Sequence, residues 1–308
     1  MIRYVKLEKR FPEISAWEKN SWIIVNAPRQ HEIHHLIKKF GLPRDFMEDI
    51  LDPDERARTE RSGEWSMNIV RVPIYTPVNQ VPYATVTMGV LLSPHTVITI
   101  CRENERISKR ILSLTQFTPE LLLPHNFLLN LMHHTAQKYL AYLKRINIQA
   151  NRIEDELQLS TKNEELRKLL RMEKCLVYFL ASMKSNELLL HKLRSTQFVD
   201  HSLLDQELLE DVRIEMQQAI EMAKIYSEVQ NNMMQAFSNV ISNNLNNVMK
   251  QLTSITIILM IPTLIASFYG MNTVNFLEES KLGFVTIIFV SILITVLGFW
   301  WFRRKNLF

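Results

Sequence analysis

The chain has 308 residues, 47% hydrophobic and 22% charged, and its 36 Lys and Arg against 32 Asp and Glu leave a formal net charge of only +4. So small an excess, spread along the chain rather than gathered in one patch, argues against nucleic acid as a partner. Only six glycines occur, with no G-x-G-x-x-G or G-x-x-x-x-G-K-[ST] run, which removes the usual phosphate-cradling loops and with them direct ATP use.

The chain opens Met1-Ile2-Arg3-Tyr4-Val5-Lys6-Leu7-Glu8, already mixed and charged. That is not the basic, apolar, small-residue order of a signal peptide, so export of the N-terminal part is not expected. Residues 1–117 alternate strand-like and helix-like signals and are expected to form a cytoplasmic α/β domain. Trp22-Ile23-Ile24-Val25-Asn26 reads as a strand. Asn26-Ala27-Pro28 then turns the chain into a helix over residues 31–40, ended by Gly41 and followed by Pro43. A second helix is predicted at residues 44–51. Three β-rich runs follow at 67–75, 83–92 and 96–101, separated by Pro77 and Asn79 and by Ser93-Pro94, a spacing that suits adjacent strands. Cys101 and Cys175 lie far apart with no C-x-x-C spacing, and they are read as buried thiols rather than as a disulfide or a zinc site.

Within the first helix, His31-Glu32-Ile33-His34-His35 satisfies H-E-x-x-H, in which two His bind zinc and the Glu acts as base. The helix is short, ends at Gly41 and has no third ligand downstream, so the chain is not expected to be an enzyme. The adjacent His133 and His134 point about 100° apart on a helix and are read as surface or packing residues.

From Thr118-Pro119-Glu120, an N-cap followed by proline at the first helical position, nearly everything to Tyr269 reads helical. Pro124, Ser160-Thr161 and residues 198–200 divide it. The reading gives a helical segment at 118–201, a stalk helix at 202–250, a first membrane span at 251–271, a short outer loop at 272–282, a second span at 283–302 and a basic tail at 303–308. Stalk and first span form one stretch of ~65 residues, roughly 100 Å at 1.5 Å per residue, which is expected to run from the soluble part into the membrane.

Residues 251–277 carry no charge, and 282–302 are richer still in Phe, Ile, Val and Leu before Arg303-Arg304-Lys305. Each is long enough to cross a bilayer core of ~30 Å. Only residues 273–281 separate them, so the pair is expected to be a tight hairpin with both flanks on one side. Lys250 before it and the basic cluster after it place that side, and both termini, in the cytoplasm.

Along the last long helix, Asn232, Gln235, Asn239, Ser242, Asn246, Met249, Thr253, Thr256, Met260, Thr263 and Ser267 recur at alternating spacings of three and four. That 3.5-residue period marks the seam of a left-handed bundle, yet the seam is amide, hydroxyl or thioether throughout. Ile255, Ile257, Ile258, Leu259, Ile261, Leu264 and Ile265 occupy the other faces. A polar seam between apolar flanks reads as the wall of a pore. Isolated Ser and Thr in a span bond back to a backbone carbonyl, and Asn can join two helices, but neither need holds one heptad register. One such helix cannot enclose a pore, so a ring of subunits is expected. No carboxylate, histidine or cysteine lies on the seam within the span, which suits a hydrated cation rather than a tightly held transition metal. Met249 and Met260 are expected to form constrictions that close by dewetting. Asn272 is expected to ring the outer mouth, with Gly270 ending the helix through permissive backbone angles.

Asn246-Asn247-Val248-Met249-Lys250, then Met260 and Thr263, then Tyr269-Gly270-Met271-Asn272 before a second span and a basic tail, resemble the CorA family of magnesium transporters. The resemblance covers the whole chain, including Leu51-Asp52-Pro53-Asp54-Glu55-Arg56 and Val72-Pro73. It implies a funnel-shaped homopentamer, with a cytoplasmic α/β domain, a long pore-lining helix and a second span outside it. It further implies a selectivity filter at Gly270, Met271 and Asn272, supported by Tyr269, and a pore lined by Asn246, Met249, Thr253, Thr256, Met260 and Thr263. Asp211 falls where the family places an inhibitory cytoplasmic divalent-ion ligand between subunits, so Mg²⁺ is expected as both cargo and regulator, with no organic cofactor. Glu278 and Glu279, offset by Lys281, can attract cations to the outer loop. Zinc, cobalt and nickel carriers share this fold and filter, and a membrane-anchored metal sensor or scaffold is the alternative of another class.

Overall fold

The chain divides into two units, Met1–Met234 and Gln235–Phe308. The structure, a computed structural model, describes residues 2–8, 12–76, 81–103, 123–159, 163–195, 204–271 and 282–304.

The apolar strands of the first unit assemble β1 (Ile2–Lys6), β2 (Glu13–Ile14), β3 (Ser21–Asn26), β4 (Arg58–Ser62), β5 (Trp65–Tyr75), β6 (Tyr83–Ser93) and β7 (Thr96–Cys101). They form one sheet in the order β2-β1-β3-β7-β6-β5-β4. Every neighbouring pair is antiparallel except β3 and β7, which run parallel with Ile23 opposite Ile98. The predicted strands are all present. β1, β2 and β4 were not predicted; β4 reads Arg-Thr-Glu-Arg-Ser, a polar edge strand without apolar alternation that becomes a strand only because β5 offers it a ladder. Pro73 sits in β5 opposite Thr85, beyond the reach of β4, whose pairing ends at Ile69. Its missing N–H therefore leaves no ladder bond broken.

Helices α1 (Gln30–Phe40) and α2 (Arg44–Leu51) cover one face of the sheet. Gly41 closes α1 in the left-handed region at φ 62°, as its position after the apolar run predicts. The period of two along each strand divides the core. Ile23, Val25, Met67, Ile69, Leu91, Ile98 and Ile100 pack with Leu36, Phe46, Met47 and Ile50 on this side. Trp22, Ile24, Val70, Val72, Val90 and Val97 face the opposite side, where Phe127, Leu131 and Leu189 meet them. Those partners belong to α3 (Pro124–Leu159) and α4 (Asn163–Ser195), and Leu209 and Val212 of α5 (Gln206–Tyr269) join them. The expected N-cap at Thr118 lies outside the described residues. Farther along, Tyr139, Phe179, Met183, Met216 and Ala219 form the interior among the three helices, with the Tyr139 and Phe179 rings edge to face at 5.0 Å. Cys101 and Cys175 are buried thiols not joined in a disulfide, as read, and burial pushes the Cys175 thiol up to about 11.

The Leu51-Asp52-Pro53-Asp54-Glu55-Arg56 and Val72-Pro73 segments find their reason at Arg71. Its guanidinium donates to the carbonyls of Pro53 and Glu55, at 2.6 and 3.1 Å, and to Thr87 Oγ1 at 2.7 Å. On the other side Asn186 of α4 clasps the Arg71 backbone, accepting its N–H and donating to its carbonyl, both at 2.8 Å, while Tyr139 donates to that carbonyl at 3.1 Å. Loop, sheet and helical layer are thus joined at one residue. Each of these polar groups, left unpaired in the interior, costs about 1–3 kcal/mol.

Candidate functional site

The second unit holds the end of α5 and α6 (Gly283–Arg304). Both helices are long and apolar enough to cross a membrane, and only 11% and 6% of their most apolar stretches are buried. A core helix of a soluble protein would be mostly covered, so these faces suit lipid or other subunits.

On α6 the covered side is Gly283, Ile287, Ser291, Thr295, Gly298 and Phe302, mostly small residues three or four apart that let two backbones approach. On α5 it is Ser254, Ile258, Ile261, Pro262 and Ile265. The two lines meet where a Cβ on Gly298 would stand 4.0 Å from Ile261 Cδ1. Pro262 lies inside α5 and cannot donate to the Ile258 carbonyl, so the ladder is weakened at mid-span.

All eleven seam residues from Asn232 to Ser267, including Asn246, Met249, Thr253, Thr256, Met260 and Thr263, are exposed. In heptad terms the covered residues of α5 fall one or two places after seam positions, on the far side of the helix. The apolar contact with α6 and the polar seam therefore occupy different faces. The hydroxyls of Thr256 and Thr263 donate to the carbonyls of Leu252 and Leu259, at 2.8 and 2.9 Å, so back-bonding does occur. It uses each hydroxyl's one proton and leaves the oxygen as an acceptor, the polarity that the water shell of a cation can use.

At the end of α5 one expectation is corrected. Gly270 does not stop the helix by a left-handed backbone, because among the described glycines only Gly41 and Gly63 have positive φ. Its N–H still bonds the Ala266 carbonyl at 2.9 Å. A Cβ there would come within 3.3 Å of that same oxygen, so the turn uses the small size of glycine. Tyr269 and Met271 are exposed. Asn272, Glu278, Glu279 and Lys281 lie outside the described residues.

Asp211 is exposed on α5 and, among the described residues, makes no ion pair. Two of its acidic neighbours are engaged. Arg213 binds Glu210 and holds its carboxyl below the usual range, and Glu215 meets His133 of α3 at 3.2 Å. That last pairing escaped the sequence reading, since nothing in the local pattern links positions 133 and 215. Among the described residues no three His, Cys, Asp or Glu side chains are grouped to hold a metal ion. The H-E-x-x-H histidines are no exception. Glu32 is a capping residue, its Oε2 accepting the Arg29 N–H at 2.8 Å, which holds its carboxyl low.

A family model for the CorA-like Mg²⁺ transporter protein matches residues 17–304. The cobalt/magnesium transport protein CorA of Methanocaldococcus jannaschii is 26% identical over 306 residues, spanning 97% of this chain and 95% of that protein. The complete structure of the CorA magnesium transporter from the same organism superposes with a TM-score of 0.82 at 22% identity, covering 99% of this chain and 98% of that one. The cytoplasmic domain of ZntB from Vibrio parahaemolyticus shares the fold of the first part, with a TM-score of 0.61 at 12% identity over 79% of this chain and 97% of that one. A match of family model to nearly the whole chain, on a fold that the solved structures share, makes this chain a member of the CorA family of Mg²⁺ transporters.

Proposed function

We propose that the chain is a channel-like transporter that lets hydrated Mg²⁺, with Co²⁺ and Ni²⁺ as further ions, into the cell across the plasma membrane. Copies of it form a funnel-shaped homopentamer with both termini in the cytoplasm, and α5 of each subunit turns its seam to the axis. The observation that carries this reading is the exposed polar seam, held in one heptad register on the side of α5 away from α6. A hydrophobic anchor has no use for it. Asn246, Thr253, Thr256 and Thr263 accept hydrogen bonds from the ion's water shell without replacing it, which suits an ion that dehydrates reluctantly. Met249 and Met260 narrow the path, and Gly270, Met271 and Asn272 select at its mouth, beside Tyr269. The membrane potential supplies about 2.3 kcal/mol per charge per 100 mV, and so about twice that for a divalent ion. Cytoplasmic Mg²⁺ bridging Asp211 to a neighbouring subunit closes the ring when the ion is plentiful, and its loss lets the acidic groups repel.

Uptake of Mg²⁺, Co²⁺, Ni²⁺ and Zn²⁺ into liposomes holding the purified protein tests this reading. Wild type is expected to take up Mg²⁺, Asn272→Ala to abolish that uptake, and Asp211→Lys to relieve inhibition by Mg²⁺ on the cytoplasmic face. Zinc-only uptake would assign the chain to zinc transport instead, and uptake of no ion would leave a membrane-anchored sensor.

A further inference from the structure

Three side chains close a contact between α3 and α5 inside the first unit. His133 Nε2 lies 3.2 Å from Glu215 Oε1. Gln137 Nε2 lies 2.9 Å from the same ring nitrogen and 3.3 Å from the same carboxylate oxygen. The His133 and Glu215 side chains are only 20% and 26% exposed, and Glu215 Oε2 is buried with no hydrogen-bond partner among the described residues.

These contacts make opposite demands on one atom. An amide nitrogen only donates, so its contact with His133 Nε2 needs a bare nitrogen, in a neutral ring with its proton on Nδ1. The contact with the carboxylate needs a proton on that same Nε2. Turning the Gln137 amide over does not remove the conflict, since its carbonyl would then face Glu215 Oε1. Two arrangements satisfy the chemistry in turn. With His133 neutral, the Gln137 amide bridges ring and carboxylate with its two N–H groups. With His133 protonated, Nε2–H donates directly to Glu215, a charge-assisted bond between the helices, and the amide turns away.

Other charged and titratable groups lie on the elements packed here. From α3, His134 has its Nδ1 3.3 Å from Gln137 Oε1, and the Lys138 ammonium lies 5.8 Å from the Tyr142 ring. On α5, Asp211 is exposed one turn earlier. Glu187 of α4 approaches α5 at Gln217, and Arg71 of the sheet is committed to the Pro53 and Glu55 carbonyls.

We propose that His133, Gln137 and Glu215 form a proton-dependent tie between α3 and α5, through which the pH around the first unit adjusts the state of the long helix. Imidazole changes charge near neutral pH. A direct Nε2–H bond to Glu215 forms only with the protonated ring, so the acid form of the contact ties α3 to α5 more directly than the Gln137 bridge of the neutral form. The effect on transport rests on the function proposed above; the tie itself does not.

The test compares full-length wild type, His133→Gln and Glu215→Gln in detergent and in liposomes, at about pH 6 and about pH 8, on either side of the imidazole range. In thermal unfolding, wild type is expected to gain stability at the lower pH relative to both variants and to converge with them at the higher. Its Mg²⁺ uptake is expected to differ about fivefold between the two pH values, the low end of ordinary coupling between sites, and the variants to lose that difference. Identical pH profiles of unfolding in all three proteins would overturn the tie. Profiles that separate in unfolding but not in uptake would overturn its regulatory part. No uptake by wild type at either pH would sink the transport reading, while unfolding would still decide the tie.

Discussion

Lysine in place of Thr256 is expected to bring Mg²⁺ uptake down to the leak of empty liposomes. Thr256 is exposed on the seam, and its hydroxyl is already folded back onto the Leu252 carbonyl, so the longer side chain reaches past it into the space that the seam borders. A divalent ion about 4 Å from one ammonium, at an effective dielectric constant of about 20, meets about 8 kcal/mol of repulsion. At about 1.4 kcal/mol per factor of ten in rate, a single subunit's lysine is enough to stop flow, and a symmetric ring multiplies the barrier. Thr256→Ser, which keeps both the back-bond and the acceptor, is expected to retain most of the uptake. Fluorescent indicator trapped in the liposomes measures both, with insertion of each variant checked by extraction. Wild-type uptake through a properly inserted Thr256→Lys protein would show that the seam is not the wall of the path.

A large effect on stability is expected where Gly89 of β6 meets Ile50 of α2. A Cβ at that position would lie 2.4 to 2.6 Å from Cγ1, Cδ1 and Cγ2 of Ile50, itself fully buried. Overpacking of this kind costs about 1–3 kcal/mol or more, and Gly89→Ala is expected to lower the melting midpoint accordingly. Ile50→Ala removes those three carbons and leaves a cavity costing about 2–5 kcal/mol. In that background the Gly89→Ala methyl enters vacated space, so it is expected to lower the midpoint no further, a coupling of about 1–3 kcal/mol between touching sites. Melting curves of the four proteins in one detergent decide the matter. An equal drop from Gly89→Ala in both backgrounds would mean that α2 shifts to absorb the methyl instead.

Much of this architecture is legible in the residue order because it depends on short-range periodicity. Runs rich in β-branched and aromatic residues announce β3, β5, β6 and β7, and long uncharged runs announce α6 and the end of α5. The register of the polar seam needs only spacings of three and four along one helix. What escaped has no local signal. β4 is polar and is a strand through its neighbour. Gly270 follows the helix end at Tyr269 as expected, but without the positive φ that glycine permits.

The residues by themselves determined the kind of chain, a mixed α/β part followed by a very long helix and a second apolar one, because burial of strands and insertion of spans follow from hydrophobic pattern alone. Only the tertiary structure decided which side of α5 meets α6, that Arg71 joins loop, sheet and helices, and that His133 faces Glu215. Each is a contact between side chains far apart in sequence, and such contacts arise only when packed backbones bring them within hydrogen-bonding range.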